Sequence, residues 1–186
     1  QLNKGQTATV ASMEQMIKEM PFRVVEWHPD SGSEFINWHC KGWCETKNIQ
    51  LTRSRPNRKN DNCFVEERNG HVVRRWIGYT RLDTTEVVAA LNSVYDVLTP
   101  YLNHFVASRR IVSKERIGAR WKVRREKRSK TPYTRVLGRD DVNEVVKTQL
   151  RLEHENLNPF TMKREIDRRL QIVFSLQKHC GTPKLG

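Results

Sequence analysis

Hydrophobic side chains recur at intervals of three and four residues across positions 7–20, a period that predicts an amphipathic helix. Pro21 follows this stretch and is expected to end the helix, because proline has no backbone N–H to donate. Residues 22–27 (FRVVEW) form a short, β-branched and mostly apolar run, which is typical of a buried strand. The chain therefore opens with a predicted helix followed by a predicted strand.

A second strand is expected one helix later. Residues 29–32 (PDSG) have the composition of a turn, and Ser33 is expected to cap a helix from Glu34 to about Lys47. Residues 49–52 then form another short strand candidate. This strand–helix–strand order predicts a right-handed parallel crossover.

The rest of the chain alternates predicted helices with one strongly basic stretch. Helices are expected at about 62–76, 83–105, 140–156 and 161–178. Residues 109–137 mix cationic side chains with isolated apolar ones, a pattern that fits either an extended arm or a small β element.

Positive charge is concentrated in that basic stretch. The chain has 34 Lys and Arg against 21 Asp and Glu, a formal net charge of +13 and a pI of about 10.0. Between Ala107 and Leu137, twelve Lys or Arg accompany two Glu, which gives +10. A balance this basic predicts binding to a polyanion, of which nucleic acid is the commonest.

The four cysteines are too few for a disulfide scaffold in a chain of this size, so free thiols of a cytoplasmic protein are expected. Cys40 and Cys44 are four positions apart and would share one helix face. They could be half of a metal site, but no second Cys/His pair lies nearby, and packed thiols are the expectation we favour. The sequence has no apolar run long enough for a membrane span, so no membrane partner is expected.

Two ordered motifs carry candidate catalytic carboxylates. HPDSGSEF begins at His28 and contains Asp30, and KNDNCFVEERNG contains Glu66. Thirty-five residues separate these two carboxylates. In this arrangement the chain resembles the catalytic core of DDE transposases and retroviral-type integrases, most closely those of bacterial insertion sequences. The resemblance covers nearly the whole chain and is most specific at 28–83.

The resemblance implies an α/β fold with three parts. An RNase H-like integrase core lacking its first strands would occupy 1–106, a basic DNA-binding segment 107–138, and a helical C-terminal extension 139–186. In the family, the first catalytic Asp lies on a strand upstream of the point where the match begins. We therefore expect an N-terminally truncated copy whose catalytic triad is incomplete and whose activity is impaired.

The chemistry implied by the resemblance is metal-dependent phosphoryl transfer in DNA, with cleavage and strand transfer. Asp30 and Glu66 would be both the catalytic residues and the ligands of Mg²⁺ (or Mn²⁺), since magnesium prefers hard oxygen ligands. Glu67 is the adjacent competitor for the second position.

The resemblance also implies contacts with transposon ends and target DNA, a homo-oligomer, and a nucleoid-associated protein of the bacterial cytoplasm. The loop before the second motif is either a solvated basic loop or a phosphate contact, and Trp121 and Tyr133 either stack on bases or pack locally, which we favour. The predicted DNA-binding residues are Arg53, Arg55, Arg58, Lys59, Arg74, Arg75, Arg120, Lys122, Arg124, Arg125, Lys127 and Arg128.

A second function fits the same sequence. A chain with an incomplete triad could bind DNA, or a complete transposase, without performing any chemistry. The basic stretch supports this alternative as well as the first, because phosphate contacts need no catalytic carboxylate.

Overall fold

The protein is described by a computed structural model in which residues 5–29, 32–55, 67, 69–78, 82 and 84–180 are placed. Residues 178–180 are described by their backbone alone. The chain divides into two compact units, which are described separately below. The first comprises Gln1–Ala89 with Val173–Gly186, and the second comprises Ala90–Ile172.

The first unit contains the predicted crossover. Helix α1 (Gln6–Glu19) precedes strand β1 (Glu26–Trp27), helix α2 (Trp38–Thr46) and strand β2 (Gln50–Leu51). The two strands pair in parallel, with Glu26 opposite Gln50 and Trp27 opposite Leu51. The predicted parallel pairing is therefore confirmed, although each strand is only two residues long.

Side chains from α1 and α2 form the core of this unit. Met13, Cys40, Cys44 and Ile49 are buried together, and flanking apolar residues of α1, β1 and β2 pack against them. Both thiols are free and buried, as the sequence predicted for packed helix cysteines. Burial is the main cause that raises the pKa of Cys44, followed by the neighbouring Cys40.

The start of α2 differs from the prediction. The expected cap was Ser33, but the helix begins at Trp38 and its N-cap is Asn37, whose side chain accepts a hydrogen bond of 2.9 Å from the Cys40 N–H. The Asn37 side chain also donates to the carbonyls of Ser33 and Glu34, at 3.1 and 2.9 Å. These two bonds hold the preceding turn outside the helix, so the prediction of a helix from Glu34 was wrong.

Helical structure after β2 is described from Glu67 onwards. Asn69–Arg74 is a π-helical stretch, which continues into the short helix α3 (Arg75–Ile77). The sequence predicted an α-helix over these residues. The structure has the wider turn of a π-helix at Asn69–Arg74, which corrects that prediction. The π-helix begins beside Gly70, which has the weakest helical preference of the ordinary residues apart from proline.

Helix α4 (Thr85–Phe105) begins as predicted, with the Thr84 hydroxyl accepting a bond of 3.3 Å from the Val87 N–H. Pro100 lies inside this helix. The chain continues with strands β3 (Ile111–Ile117) and β4 (Arg120–Arg125), then helices α5 (Pro132–Leu137), α6 (Glu144–Asn156) and α7 (Pro159–Cys180). The basic stretch is therefore a β element, one of the two structures that its sequence allowed.

The buried apolar side chains of the second unit recur at helical spacing. Val94 and Leu98 lie on α4, and α7 supplies Met162, Ile166 and Leu170. Arg169 of α7 donates to the Ser93 carbonyl of α4, which shows that these two helices are adjacent. Their apolar faces therefore contribute to the core of this unit.

Three aromatic rings from three helices stack in the same unit. The Tyr133 ring centroid lies 4.9 Å from that of His104 and 4.4 Å from that of His154. The two histidine Nδ1 atoms are 3.1 Å apart, so one donates and the other accepts. Burial, opposed by the charge of Glu153, lowers the pKa of His104. The stack formed by His104, Tyr133 and His154 therefore joins α4, α5 and α6.

The fold is mixed α/β and mainly helical. Within the placed residues, β1 and β2 form a parallel sheet of two strands, and β3 and β4 form an antiparallel one. None of the helices in the placed part of the chain combines the length and apolar character that crossing a membrane requires.

Candidate nucleic-acid interface

Strands β3 and β4 form a two-stranded ribbon, Ile111–Arg125, which contains four of the twelve predicted DNA-binding residues. Their register pairs Ile117 with Arg120 next to the turn and Ile111 with Arg125 at the base. The turn contains Gly118 with φ of 58°, in the left-handed region where glycine is favoured. An irregularity in the pairing lies between Ile111 and Ser113.

The register sorts the ribbon side chains onto two faces, because directly paired residues point to the same side and neighbours alternate. The tryptophan face consists of Ile111, Lys114, Arg116, Trp121, Val123 and Arg125. The second face consists of Ser113, Glu115, Ile117, Arg120, Lys122 and Arg124.

Both faces are positively charged and exposed. The tryptophan face carries three cations and no carboxylate among its six placed residues, whereas the second face carries three cations and Glu115. All of these residues except the partly exposed Ser113 are exposed. The predicted cations of β4 are thus divided between faces: Arg120, Lys122 and Arg124 lie on one, and Arg125 lies on the other.

Trp121 is exposed to 56% of its surface, so the expectation that it packs locally was wrong. Its contact is with Lys114, whose Nζ lies 4.7 Å from the ring centroid in a cation–π arrangement. Tyr133 is half-buried in the histidine stack, so local packing is confirmed for that residue.

A carboxylate fixes the base of the ribbon. Arg135 Nη1 and Nη2 each donate to Glu126 at 2.7 Å, and Nη2 also donates to the Ser108 carbonyl at 2.8 Å. The Arg110 N–H donates to the same carboxylate at 2.9 Å. The Arg135 hydrogen bonds, with that of Arg110, lower the pKa of Glu126 to about 2. The ribbon is therefore attached to α5 by a forked, charge-assisted contact.

The predicted cations Lys127 and Arg128 lie just beyond this carboxylate. Both are exposed, and together with Glu126 and Lys130 they line an open concavity of about 370 Å³. They continue the positive surface past the end of β4.

Two ribbon cations were missing from the sequence prediction. Lys114 and Arg116 lie on β3, yet they share the tryptophan face with Arg125 of β4. Cations are denser along 120–128 than along β3, which has fewer of them per residue. Lys114 and Arg116 are two positions apart, which places both on one face of a strand, and this spacing was the signal that could have identified them.

The carboxyl ends of β1 and β2 meet at one edge of the parallel sheet. There the Thr52 hydroxyl donates to Glu26 Oε1 at 2.7 Å and accepts from His28 Nδ1 at 2.7 Å. The predicted cations Arg53 and Arg55 follow Thr52 and are exposed. Arg53, which follows β2, is thus at the same edge of the sheet as His28, which follows β1.

The other predicted site residues are placed as follows. Arg74 ends the π-helical stretch, Arg75 begins α3, and both are exposed. Across the placed ranges, no three His, Cys, Asp or Glu side chains come together in a way that could hold a metal ion. The predicted residues that lie outside the described part of the chain are Asp30, Arg58, Lys59 and Glu66.

Comparison with known proteins gives one relative. The uncharacterized protein y4rM of Sinorhizobium fredii (strain NBRC 101917 / NGR234) is 41% identical over 111 residues, which cover 60% of this chain and 32% of that protein. The chain thus spans about a third of the length of the curated relative it matches. No protein-family model matches the chain. No solved structure matches it either.

Proposed function

We propose that this chain is part of a DDE-type transposase or integrase with an RNase H-like core, acting in DNA transposition, and that the ribbon is its DNA-binding surface. The ordered motifs around Asp30 and Glu66 support this proposal, as does the parallel β1–α2–β2 crossover, which such a core would contain. By the same resemblance, the protein acts as a homo-oligomer on transposon ends and target DNA.

The observation that carries DNA binding is the ribbon with cations on both faces. The major groove of duplex DNA is wide enough for a two-stranded β-ribbon. On the second face, Arg120, Lys122 and Arg124 alternate along β4 and repeat roughly every 6.7 Å. We assign this face to the duplex phosphates, since such contacts position a protein without reading sequence.

Mg²⁺ (or Mn²⁺) bound by Asp30 and Glu66 would supply the stabilisation of charge that phosphoryl transfer requires. The contribution of the placed residues is to bind and orient the DNA. Arg53 and Arg55 follow β2, whose carboxyl end lies at the same sheet edge as that of β1, the strand before the first motif. In this proposal they bind DNA phosphates at that edge. The ribbon holds the duplex through its own phosphate contacts.

The test of the ribbon is the triple variant Arg120→Gln, Lys122→Gln, Arg124→Gln, measured by fluorescence anisotropy with duplex DNA at several salt concentrations. Each phosphate contact contributes about 0.9 to the slope of log K against log salt. Loss of three contacts should therefore make the slope shallower by about 2.7 and weaken binding at low salt.

The matched control is the triple variant Lys18→Gln, Lys41→Gln, Lys47→Gln. These three exposed lysines lie in α1, in α2 and directly after α2. The control has the same net charge as the ribbon variant, so it measures the effect of total charge alone. An equal loss of slope in both variants would refute a specific role for the ribbon.

The second candidate function is a DNA-binding or transposase-binding protein without catalysis. It is favoured by the position of the ribbon cations, which lie in a part of the sequence that contains neither candidate catalytic carboxylate. Substitution of Asp30 by Asn separates the two. A catalytic protein should lose metal-dependent nicking of DNA while its Kd for DNA is unchanged. A protein that only binds should show no nicking before or after the substitution.

A further inference from the structure

Trp121 is the feature of the ribbon that duplex binding does not explain. Its indole is 56% exposed and lies among the cations Lys114, Arg116 and Arg125 on the tryptophan face. We propose that this face binds a single-stranded stretch of nucleic acid, with Trp121 stacked on an unpaired base. This inference rests on the proposed function, because it adds a second nucleic-acid form to the same ribbon.

The indole requires a base with an accessible ring face. In a duplex, each base is covered above and below by its neighbours, so an indole projecting from a ribbon can stack only where bases are unpaired. Stacking of this kind is the usual means by which proteins hold single strands without reading their sequence. Val123, which is also exposed, is the next residue of β4 on this face and extends the apolar surface beyond the ring, and the exposed Ile111 lies on the same face at the base of the ribbon.

The cations of the face provide the matching charge. Arg116 Nε donates to the Gly118 carbonyl at 3.2 Å, and Arg125 Nη1 donates to the Arg109 carbonyl at 3.1 Å. A guanidinium has five N–H donors, so these bonds hold each arginine along the ribbon and leave donors for a phosphate. Lys114, over the ring, would bind the phosphate next to the stacked base.

The alternation of cation and ring favours nucleic acid over other acidic partners. A single strand presents a phosphate and a flat base at every nucleotide, which matches a face that offers both cations and an aromatic ring. An acidic protein segment or an anionic lipid surface would match the charges but would gain nothing specific from an indole ring. Because the proposed function acts on DNA, the partner to which we commit is single-stranded DNA.

The experiment compares Trp121→Ala and Trp121→Phe with the unaltered chain. Binding of a thymidine oligonucleotide and of a blunt-ended duplex of equal charge is measured by anisotropy at one salt concentration. Loss of stacking should weaken oligonucleotide binding by about tenfold in Trp121→Ala. Trp121→Phe should recover most of that affinity, and duplex affinity should change less than twofold in both.

Trp38→Ala is the matched control. Trp38 is 82% exposed on α2, and Lys41 Nζ lies 5.0 Å from its ring centroid, so it has the same local contact in a different place. This variant should bind both DNA forms as the unaltered chain does.

Circular dichroism of Trp121→Ala should show whether the ribbon remains folded. Photo-crosslinking of an iodouracil oligonucleotide to Trp121 provides a readout that does not depend on any variant.

Three outcomes decide the inference. Selective loss of oligonucleotide binding with crosslinking at Trp121 supports it. Equal loss for both DNA forms, or no loss for either, overturns it. If neither DNA form is affected, the triple variant of the second face still tests duplex binding independently. The inference can therefore fail while the proposed function stands, and the two failures are distinguished by that variant.

Discussion

At the scale of single residues, the ribbon depends on one carboxylate. The Glu126 carboxylate accepts hydrogen bonds from both terminal nitrogens of Arg135 and from the backbone N–H of Arg110. Because all these partners stabilise the ionised form, the pKa of Glu126 falls to about 2. Its charge therefore links the start of β3, the end of β4 and helix α5.

Glu126→Gln should loosen the base of the ribbon. The amide retains the shape of the side chain but has one acceptor oxygen and no charge, so it cannot hold the Arg135 fork. Amide hydrogen exchange should show faster exchange of the Arg110 N–H, and duplex DNA should bind more weakly. Glu115→Gln, the same change at an exposed ribbon position opposite Lys122, should leave the exchange of the Arg110 N–H unchanged and should not weaken duplex binding.

The contribution of Glu126 to stability depends on pH with a definite sign. Its pKa is about 2 in the folded chain and about 4.5 as a free group. Stabilisation is therefore complete above pH 4.5 and declines as the pH falls towards 2, because the unfolded chain then binds the proton more readily. A stability difference between the unaltered chain and Glu126→Gln that persists at pH 2 would contradict this assignment.

At the scale of elements, the start of α2 shows where sequence patterns are ambiguous. Ser33 and Asn37 are both good N-cap residues, and the sequence contains both within five positions. The structure selects Asn37 because its amide can do two tasks: the oxygen caps Cys40, and the nitrogen binds the carbonyls of Ser33 and Glu34. A serine hydroxyl has one proton and cannot satisfy all three.

Asn37→Ala should destabilise the first unit by about 1–2 kcal/mol, because an N-cap is lost together with two bonds to the preceding turn. Asn37→Asp retains the acceptor and loses only the two donors, so it should recover most of that stability. Urea unfolding followed by circular dichroism measures both. A loss in Asn37→Asp as large as that in Asn37→Ala would show that the turn contacts, and not the cap, determine the effect.

Much of the element order could be predicted from sequence, because periodicity and turn residues report local structure. The helices α4, α6 and α7 were predicted near their observed bounds, and the order β1–α2–β2 was predicted correctly, although β1 and α2 each begin four residues later than expected. The division of ribbon cations between faces could not be predicted, since it depends on which residues pair across β3 and β4. Trp121 was misassigned for a similar reason: average burial of aromatic residues does not say whether another layer covers a given strand.

At the scale of the whole molecule, charge is the dominant property. Of a net charge of +13, +10 lies between Ala107 and Leu137, and the exposed ribbon occupies the middle of that stretch. Like charges at this density repel one another and destabilise the compact state. DNA would neutralise them, so binding and stability are linked through the same side chains.

Modest salt should therefore stabilise the free protein. Between about 0.01 and 0.15 M salt, the screening length falls from about 30 to 8 Å, which weakens repulsion among the ribbon cations. A gain of about 1 kcal/mol would raise Tm by about 2–4 °C in a chain of this size. The triple ribbon variant, which has fewer cations, should show a smaller rise; a Tm that falls with salt would mean that ion pairs such as Glu126–Arg135 outweigh the repulsion.

The catalytic proposal also belongs to this scale, and it depends on the sequence more than on the fold. Asp30 and Glu66 are predicted from ordered motifs, and their assignment as metal ligands stays a prediction. The placed residues supply the crossover that precedes the second motif and the ribbon that follows it. The nicking experiment with Asp30→Asn tests the assignment directly.

The ribbon has one further consequence, because a sheet of two strands has an outer edge on each strand. In the described part of the chain, β3 and β4 pair only with each other, so their outer backbone groups could accept another strand. Closely spaced lysines and arginines discourage such pairing by mutual repulsion. The cations assigned to DNA thus also act as gatekeepers against aggregation, and variants that neutralise many of them at once should be prone to edge-to-edge self-association.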